Sequence, residues 1–345
     1  MSLRELLGIE LPVLQAPMAG AQGSALAVAV SNAGGLGALP CGLLTLEGLR
    51  DELARVRAQT RRPYHLNFFC HSPPAPDAAR EARWRAALEP YYRELELDPG
   101  RGATETVRTP FSAAAADIVE PARPPIVSFH FGLPSPDLLA RVRSWGSRVL
   151  ATATTLAEAC WLEMRGVDAI IAQGLEAGGH RGQFLERGLD GQLGTDALVR
   201  EIVRAVRTPV IATGGIANAA GVAAAVDNGA AGVQVGTSYL LCPESTTSAV
   251  HRAALASAAA RETAITNLFS GGLARGIVNR LMRELGPISD LAPEFPLAAS
   301  AVAPLRAYAE RNGSGDFSPL WCGQRADGCR TIDAARLTRE LAARL

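Results

Sequence analysis

Eight short apolar runs recur along the chain, most of them separated by an amphipathic stretch of helix length. They are Val13–Met18, Leu36–Cys41, Tyr64–Cys70, Pro125–Phe131, Arg148–Thr154, Ala169–Gly174, Pro209–Gly215 and Gly232–Leu240. Short continuous apolar runs suit strands covered on both faces. The stretches between them carry helix start and stop signals. Thr45 precedes Leu46–Gln59 with Glu47 in the first turn; Ser24 can cap Ala25–Asn32, which Gly34 can end. Ser135–Gly146, Thr155–Arg165, Thr195–Val206 and Ala217–Asn228 are built alike. Strand alternating with helix gives a parallel sheet covered by helices. Eight such units predict an α/β fold, a closed (β/α)8 TIM barrel, which uses about 250 residues. An open doubly wound sheet is the alternative. It is weakened because Gly35-Leu-Gly37 has Pro40 where the dinucleotide fingerprint needs its third glycine.

Two segments exceed the barrel, which takes residues 1–71 and 124–243. Residues 72–123 form an insertion between the third and fourth strands, flanked by prolines and carrying a helix around Ala78–Glu96. Residues 244–345 form a helical C-terminal region expected to cover the barrel mouth. It has an alanine-rich helix over Thr246–Arg261, a turn at Ser270-Gly271-Gly272 and a last helix over Ile332–Leu345.

Several function classes are disfavoured. Formal charge is zero with interspersed signs, so no basic stripe marks a nucleic-acid partner. No run of 18 apolar residues predicts a membrane span, and no basic-then-apolar leader pattern opens the chain. The six cysteines form no C-x-x-C pair and suit neither a zinc site nor a disulfide framework, so they read as reduced thiols in a cytoplasm. No cluster of metal-ligand type appears. All 34 basic residues are arginine, which removes lysine Schiff-base chemistry.

In such a barrel the active groups stand at the C-terminal ends of the strands. Strand one ends in Ala16-Pro17-Met18-Ala19-Gly20, strand three carries Asn67 and leads to His71, and strand four carries His130. Strand six ends at Gln173 and enters a glycine-rich loop, Gly174 to Gly182, holding Gly178, Gly179 and His180. Strand seven ends in Thr213-Gly214-Gly215 before a helix, and strand eight carries Gln234-Val235-Gly236-Thr237. Glycine lets backbone N–H groups approach a ligand, and the last two loops of a barrel often bind phosphate beside a helix N-terminus. Asn67 and Gln173 would then be neutral amides facing a cofactor ring. Their alternative reading is hydrogen bonding within the barrel mouth.

His180 lies on the loop nearest that ligand and is the candidate for proton transfer. His71 and His130 stand at the mouth and could touch substrate. His65 and His251 read as structural or solvated. The chain offers no paired carboxylates and no nucleophile elbow, which suits chemistry carried by a cofactor.

The ordered motifs resemble the nitronate monooxygenases, once grouped as 2-nitropropane dioxygenases, and within them the class I branch. The resemblance runs through Gln15-Ala-Pro-Met18 with Gly34-Gly-Leu-Gly37, Asn67-Phe-Phe-Cys-His71, Ser128-Phe-His-Phe-Gly132, and Gln173 to Gly182. It continues through Ala212-Thr-Gly-Gly-Ile216, Gln234-Val-Gly-Thr237, Ala274-Arg-Gly-Ile277 and Leu320-Trp-Cys-Gly-Gln324. It implies FMN as cofactor, held by Met18, Asn67, Gln173, Gly178, Gly215 and Gln234 to Thr237, with Gly214 beside them. It implies His180 as the catalytic histidine and a nitronate or nitroalkane with O2 as substrates, giving a carbonyl compound and nitrite. The implied protein is a cytoplasmic monomer or homodimer. Two positions depart from the family pattern: Val235 replaces a methionine, and Phe295 stands where many relatives have tyrosine. Two other readings stay open. One is an NAD(P)H-dependent flavin reductase on the same scaffold, acting on an enoyl-[acyl-carrier-protein] or a quinone. The other is a non-redox barrel that binds a phosphorylated ligand.

Overall fold

Gln15 N donates to Leu36 O at 2.9 Å and Leu36 N to Val13 O at 3.0 Å, and these two bonds close the sheet into a barrel. The computed structural model describes residues 1–98 and 108–345. In chain order the strands are β1 (Val13–Gln15), β2 (Gly37–Pro40), β3 (Tyr64–Phe69), β4 (Ile126–His130), β5 (Arg148–Ala153) and β6 (Ala169–Gln173). Then come a two-residue β7 (Gly179–His180), β8 (Val210–Thr213) and β9 (Gly232–Val235). All but β7 belong to one parallel sheet ordered β1-β9-β8-β6-β5-β4-β3-β2. Closure between β1 and β2 makes it the (β/α)8 barrel expected from the alternation.

Inward residues fill the barrel. Leu14, Leu36, Ile126, Leu150, Ile171 and Ile211 form one apolar cluster with Leu3 and Leu7 of a short N-terminal helix. Their outward neighbours, such as Val127, Val149 and Ile170, pack under the helices instead. Each such side chain contributes about 1.5–3 kcal/mol by leaving water, so a one-residue slip of any strand is strongly opposed. The register also sets the chemistry. Gln173 pairs with Thr213, and Thr213 with Gln234, so three strand ends lie side by side at one edge.

The helices follow their caps. Thr45, Ser135 and Thr155 each accept a hydrogen bond from the first turn of the helix they start. Ser24 differs: the helix Ser24–Asn32 is capped by Gly23, and Ser24 N donates to Glu52. The last barrel run also stops early, because Thr237–Tyr239 coil into a 3-10 turn after β9.

The C-terminal region is not purely helical. β10 (Thr263–Thr266) and β11 (Ala274–Ile277) pair antiparallel, and β11 pairs with β7, setting Ala274 opposite His180. The alanine-rich stretch divides into a helix Ala249–Leu255 and a 3-10 turn Ala258–Arg261, with Ser257 capping the second piece. The last helix, Ala334–Leu341, lays Leu337 and Leu341 into the barrel's apolar shell. The expected insertion 72–123 includes residues 99–107, which lie outside the described residues. Its helix Ala78–Glu94 packs on Ala298–Arg311. There Trp84 Nε1 donates to Ala298 O at 3.2 Å and the Tyr92 hydroxyl to Ala301 O at 2.7 Å. Among the described residues no helix is long and apolar enough to cross a membrane, and all six cysteines are free.

Candidate active site

One cavity opens at the C-terminal edge of the barrel. Met18, Asn67, His130, Gln173, Gly178, His180, Gly214, Gly215, Gln234, Val235, Gly236 and Thr237 all line it. The strand ends are thus brought together as a single wall. His71 is the exception and does not line the cavity. Its ring packs edge-on against Phe295, ring centres 4.9 Å apart, and its Nδ1 is buried without a hydrogen-bond partner among the described residues.

The rim after β8 and β9 needs its glycines for stated reasons. Gly214 and Gly215 have φ of 122° and 67°, the left-handed side that favours glycine. They precede the helix Ala219–Asp227, capped by Asn218. Across from them, a Cβ on Gly178 would come within 2.5 Å of Gly323 N, so the loop must approach that backbone bare. Thr237 Oγ1 accepts from Gly323 N at 3.0 Å, tying the two segments together. Gln234 Oε1 is buried, lines the cavity and has no hydrogen-bond partner. A native fold tolerates few such orphans, because an unpaired buried acceptor costs about 1–3 kcal/mol.

The two amides expected to face a ring behave differently. Asn67 Nδ2 donates to Ser128 Oγ at 2.9 Å. Gln173 is occupied at both ends: Nε2 donates to His180 O at 2.9 Å, and Oε1 accepts from Gly182 N at 2.8 Å. Gln173 therefore clamps the His180 loop as well as lining the cavity. Arg181, buried, adds to the clamp by donating to Gly174 O at 2.5 Å, Gln173 O at 2.8 Å and Gln192 Oε1 at 2.9 Å. Arg275, carried by β11, donates to Leu175 O at 2.9 Å. Carbonyls that leave the sheet at the end of β6 are thus satisfied by guanidinium groups rather than by water.

Among the described residues the His180 ring makes one hydrogen bond, Nε2 to Ser270 Oγ at 2.8 Å. Phe131, Phe295 and Trp321 surround it, with ring centres 6.2, 5.2 and 5.3 Å away. Burial pushes its pKa well below the usual histidine value, and the charges of Arg108, His130 and His71 push the same way. His130 is driven down to about 4, also by burial, while Nε2 contacts His180 O at 3.2 Å and Nδ1 contacts Thr152 Oγ1 at 3.1 Å. Both imidazoles are neutral at pH 7, so His180 can accept a proton or share a hydrogen bond but brings no positive charge. Burial raises the thiols of Cys41, Cys70, Cys242, Cys322 and Cys329, which leaves none of these as a thiolate.

The remaining histidines are buried. His65 contacts Ser128 Oγ at 2.9 Å inside the barrel. His251 lines the far end of the cavity with Nε2 unpartnered. The sequence motifs include Phe69, Phe131 and Trp321 but assign them no role, and they give none to Ser270 or Arg108. Ser270 looked like turn punctuation, and a lone arginine in an insertion carries no spacing signal. The Leu320-Trp-Cys-Gly-Gln324 motif did flag the segment that brings in Trp321 and Gly323.

Comparison with known proteins bears directly on this arrangement. A family model described as nitronate monooxygenase matches residues 1–343. The chain is 43% identical over 344 residues to a nitronate monooxygenase of Paraburkholderia phytofirmans, covering 99% of this chain and 93% of that protein. It is 41% identical over 339 residues to one of Pseudomonas aeruginosa, covering 97% and 96%. Among solved structures it is similar to a nitroalkane oxidase from Streptomyces ansochromogenes, with TM-score 0.89, 37% identity and coverage of 100% and 98%. FabK from Thermotoga maritima shares the architecture at TM-score 0.73 and 26% identity, covering 100% and 96%.

Proposed function

Because this chain belongs to the nitronate monooxygenase family, we propose that it is an FMN-dependent enzyme oxidising alkyl nitronates with O2 to a carbonyl compound and nitrite. The observation that carries the reading is a neutral imidazole, His180, fixed by Ser270 in a cavity that is also lined by the glycine rim and by Gln234 with its orphaned acceptor.

The residues present fit a flavin mononucleotide. Gly214-Gly215 before a helix N-terminus, with Gly236 and Thr237 beside them, suit its phosphate. Gln234 Oε1 suits a ring N–H, and Asn67 and Met18 complete the wall against a flat ring. When bound, FMN supplies the route by which electrons leave the substrate and reach O2.

The protein's own part is binding, orientation and exclusion of water. Gln173, Arg181 and Arg275 fix the loop that carries His180. Ser270 sets the angle of its ring. The neutral ring orients a nitronate by hydrogen bonding, or takes the proton from the α-carbon of a neutral nitroalkane. Phe69, Phe131, Phe295 and Trp321 pack around the reacting end and keep it dry.

Oxygen consumption and nitrite release on adding ethyl nitronate test the proposal. Turnover without NADH or NADPH is the expected result. A strict requirement for either would favour the flavin-reductase reading instead.

A further inference from the structure

We infer that Arg108 is the counter-charge of this active site, its guanidinium gripping the anionic oxygens of the substrate. The inference takes the nitronate substrate from the reading above.

His130 and His180 line the cavity, His71 packs against Phe295, and burial lowers the pKa of all three. An anion brought among them needs a positive charge from elsewhere. Among the described residues three arginines line the cavity: Arg108, Arg306 and Arg325. Arg325 makes two 2.8 Å bonds to Asp327, and Arg306 pairs with Glu310 at 2.8 Å. Arg108 has no carboxylate partner among the described residues. Its Nη1 is shut off from solvent and bonds to nothing.

The geometry places this free charge near the chemistry. The Arg108 guanidinium carbon lies 5.3 Å from the centre of the Phe295 ring, and that ring lies 5.2 Å from the His180 ring. Guanidinium and imidazole therefore contact the same phenyl ring, and both residues line the cavity. Phe295 has no hydroxyl to offer a substrate, so the polar contact falls to Arg108. A guanidinium presents paired N–H donors in one plane, which matches the two oxygens of a planar nitronate. Burial and the charge of Arg306 lower the Arg108 pKa to about 10, which still leaves it cationic at pH 7. A half-buried cation with an unused donor is costly by itself, and an oxyanion offsets that cost on binding.

Nitrate is a planar oxyanion of the same shape as the nitronate head, and it serves as the probe. The flavin-loaded protein is titrated with sodium nitrate at constant ionic strength by calorimetry. The expected result is binding to the wild type, weakened at least about tenfold by Arg108→Met, with partial recovery in Arg108→Lys. Arg108→Gln removes the charge but keeps a polar side chain, and it reads the same loss if the methionine variant does not fold. His180→Asn should change nitrate affinity far less. Steady-state rates give a second reading: Arg108→Met should raise KM for ethyl nitronate about tenfold while KM for neutral nitroethane stays level. Nitrate affinity unchanged in both Arg108→Met and Arg108→Gln overturns the inference, as does loss of nitrate binding in His180→Asn alone. A wild type that binds nitrate through Arg108 yet never oxidises nitronates would sink the functional reading and leave the anion site standing.

Discussion

His180 Nε2 lies 2.8 Å from Ser270 Oγ, across 90 residues of chain. One comes from the loop after β6 and the other from the turn leading into β11. That turn joins β10 to β11, and β11 pairs with β7, so the small antiparallel sheet carries the partner to the imidazole. The barrel supplies the cavity, and the C-terminal region orients the His180 ring within it.

Ser270→Ala should therefore act on turnover more than on binding. Losing the hydrogen bond frees the His180 ring to rotate, at a cost of about 1 kcal/mol or more. The expected effect is a kcat about tenfold lower with a smaller change in KM, partly restored by Ser270→Thr. Steady-state kinetics with ethyl nitronate read it, and an unchanged kcat would show that Ser270 does not position the ring.

Gln234→Leu separates flavin binding from stability. The buried Oε1 has no protein partner, so an apolar replacement removes an orphan acceptor. The flavin-free protein should melt at the same temperature or higher, while FMN affinity falls about tenfold. Fluorescence titration with FMN and thermal melts check the two halves, and unchanged affinity would take Gln234 out of the cofactor site.

Arg181→Met should loosen the loop from its root. The side chain is only 1% exposed and serves three acceptors, Gly174 O, Gln173 O and Gln192 Oε1. Leaving them unpaired costs about 3 kcal/mol or more. Urea denaturation should show the loss, with turnover falling alongside. A midpoint within error of the wild type would contradict the clamp.

Stability should fall as pH drops through a defined window. Burial holds His65, His130 and His251 at about 4, against about 6.5 in an unfolded chain. Between those values the unfolded state binds more protons, so stability rises with pH there and is lost as pH falls from about 6.5 toward 4. Denaturant midpoints from pH 7.5 to 4.5 should be level at first and then decline below about 6.5. His65→Asn should flatten part of that slope, and a flat profile throughout would contradict the buried neutral histidines.

Much of this was legible in the sequence, for physical reasons that differ by element. The barrel strands are buried on both faces, so Ala169–Gln173 and Val210–Thr213 show as plain apolar runs. Thr45 and Thr155 announce their helices because a capping hydroxyl is local chemistry. The strands of the small sheet are hidden, since Gly179-His180 in the loop after β6 and Ala274-Arg-Gly-Ile277 in the C-terminal region are short and carry no apolar alternation. Ser24 misled as a cap because Glu52, distant in sequence, binds its N–H. Motif residues such as Gly215, Gln234 and His180 converge on one cavity. His71 is not among the residues that line it, and its ring packs against Phe295. Arg108 and Ser270 act only through contacts made by the folded chain, and no spacing rule could announce them.

The most direct test mixes the flavin-loaded protein with ethyl nitronate in the absence of oxygen while the flavin absorption is followed. The account predicts that the oxidised flavin bands are lost on mixing, with no nicotinamide present, and that the His180→Asn protein binds FMN but loses them far more slowly. Flavin bands that persist until NADH or NADPH is added, or a purified protein that carries no flavin, would contradict it.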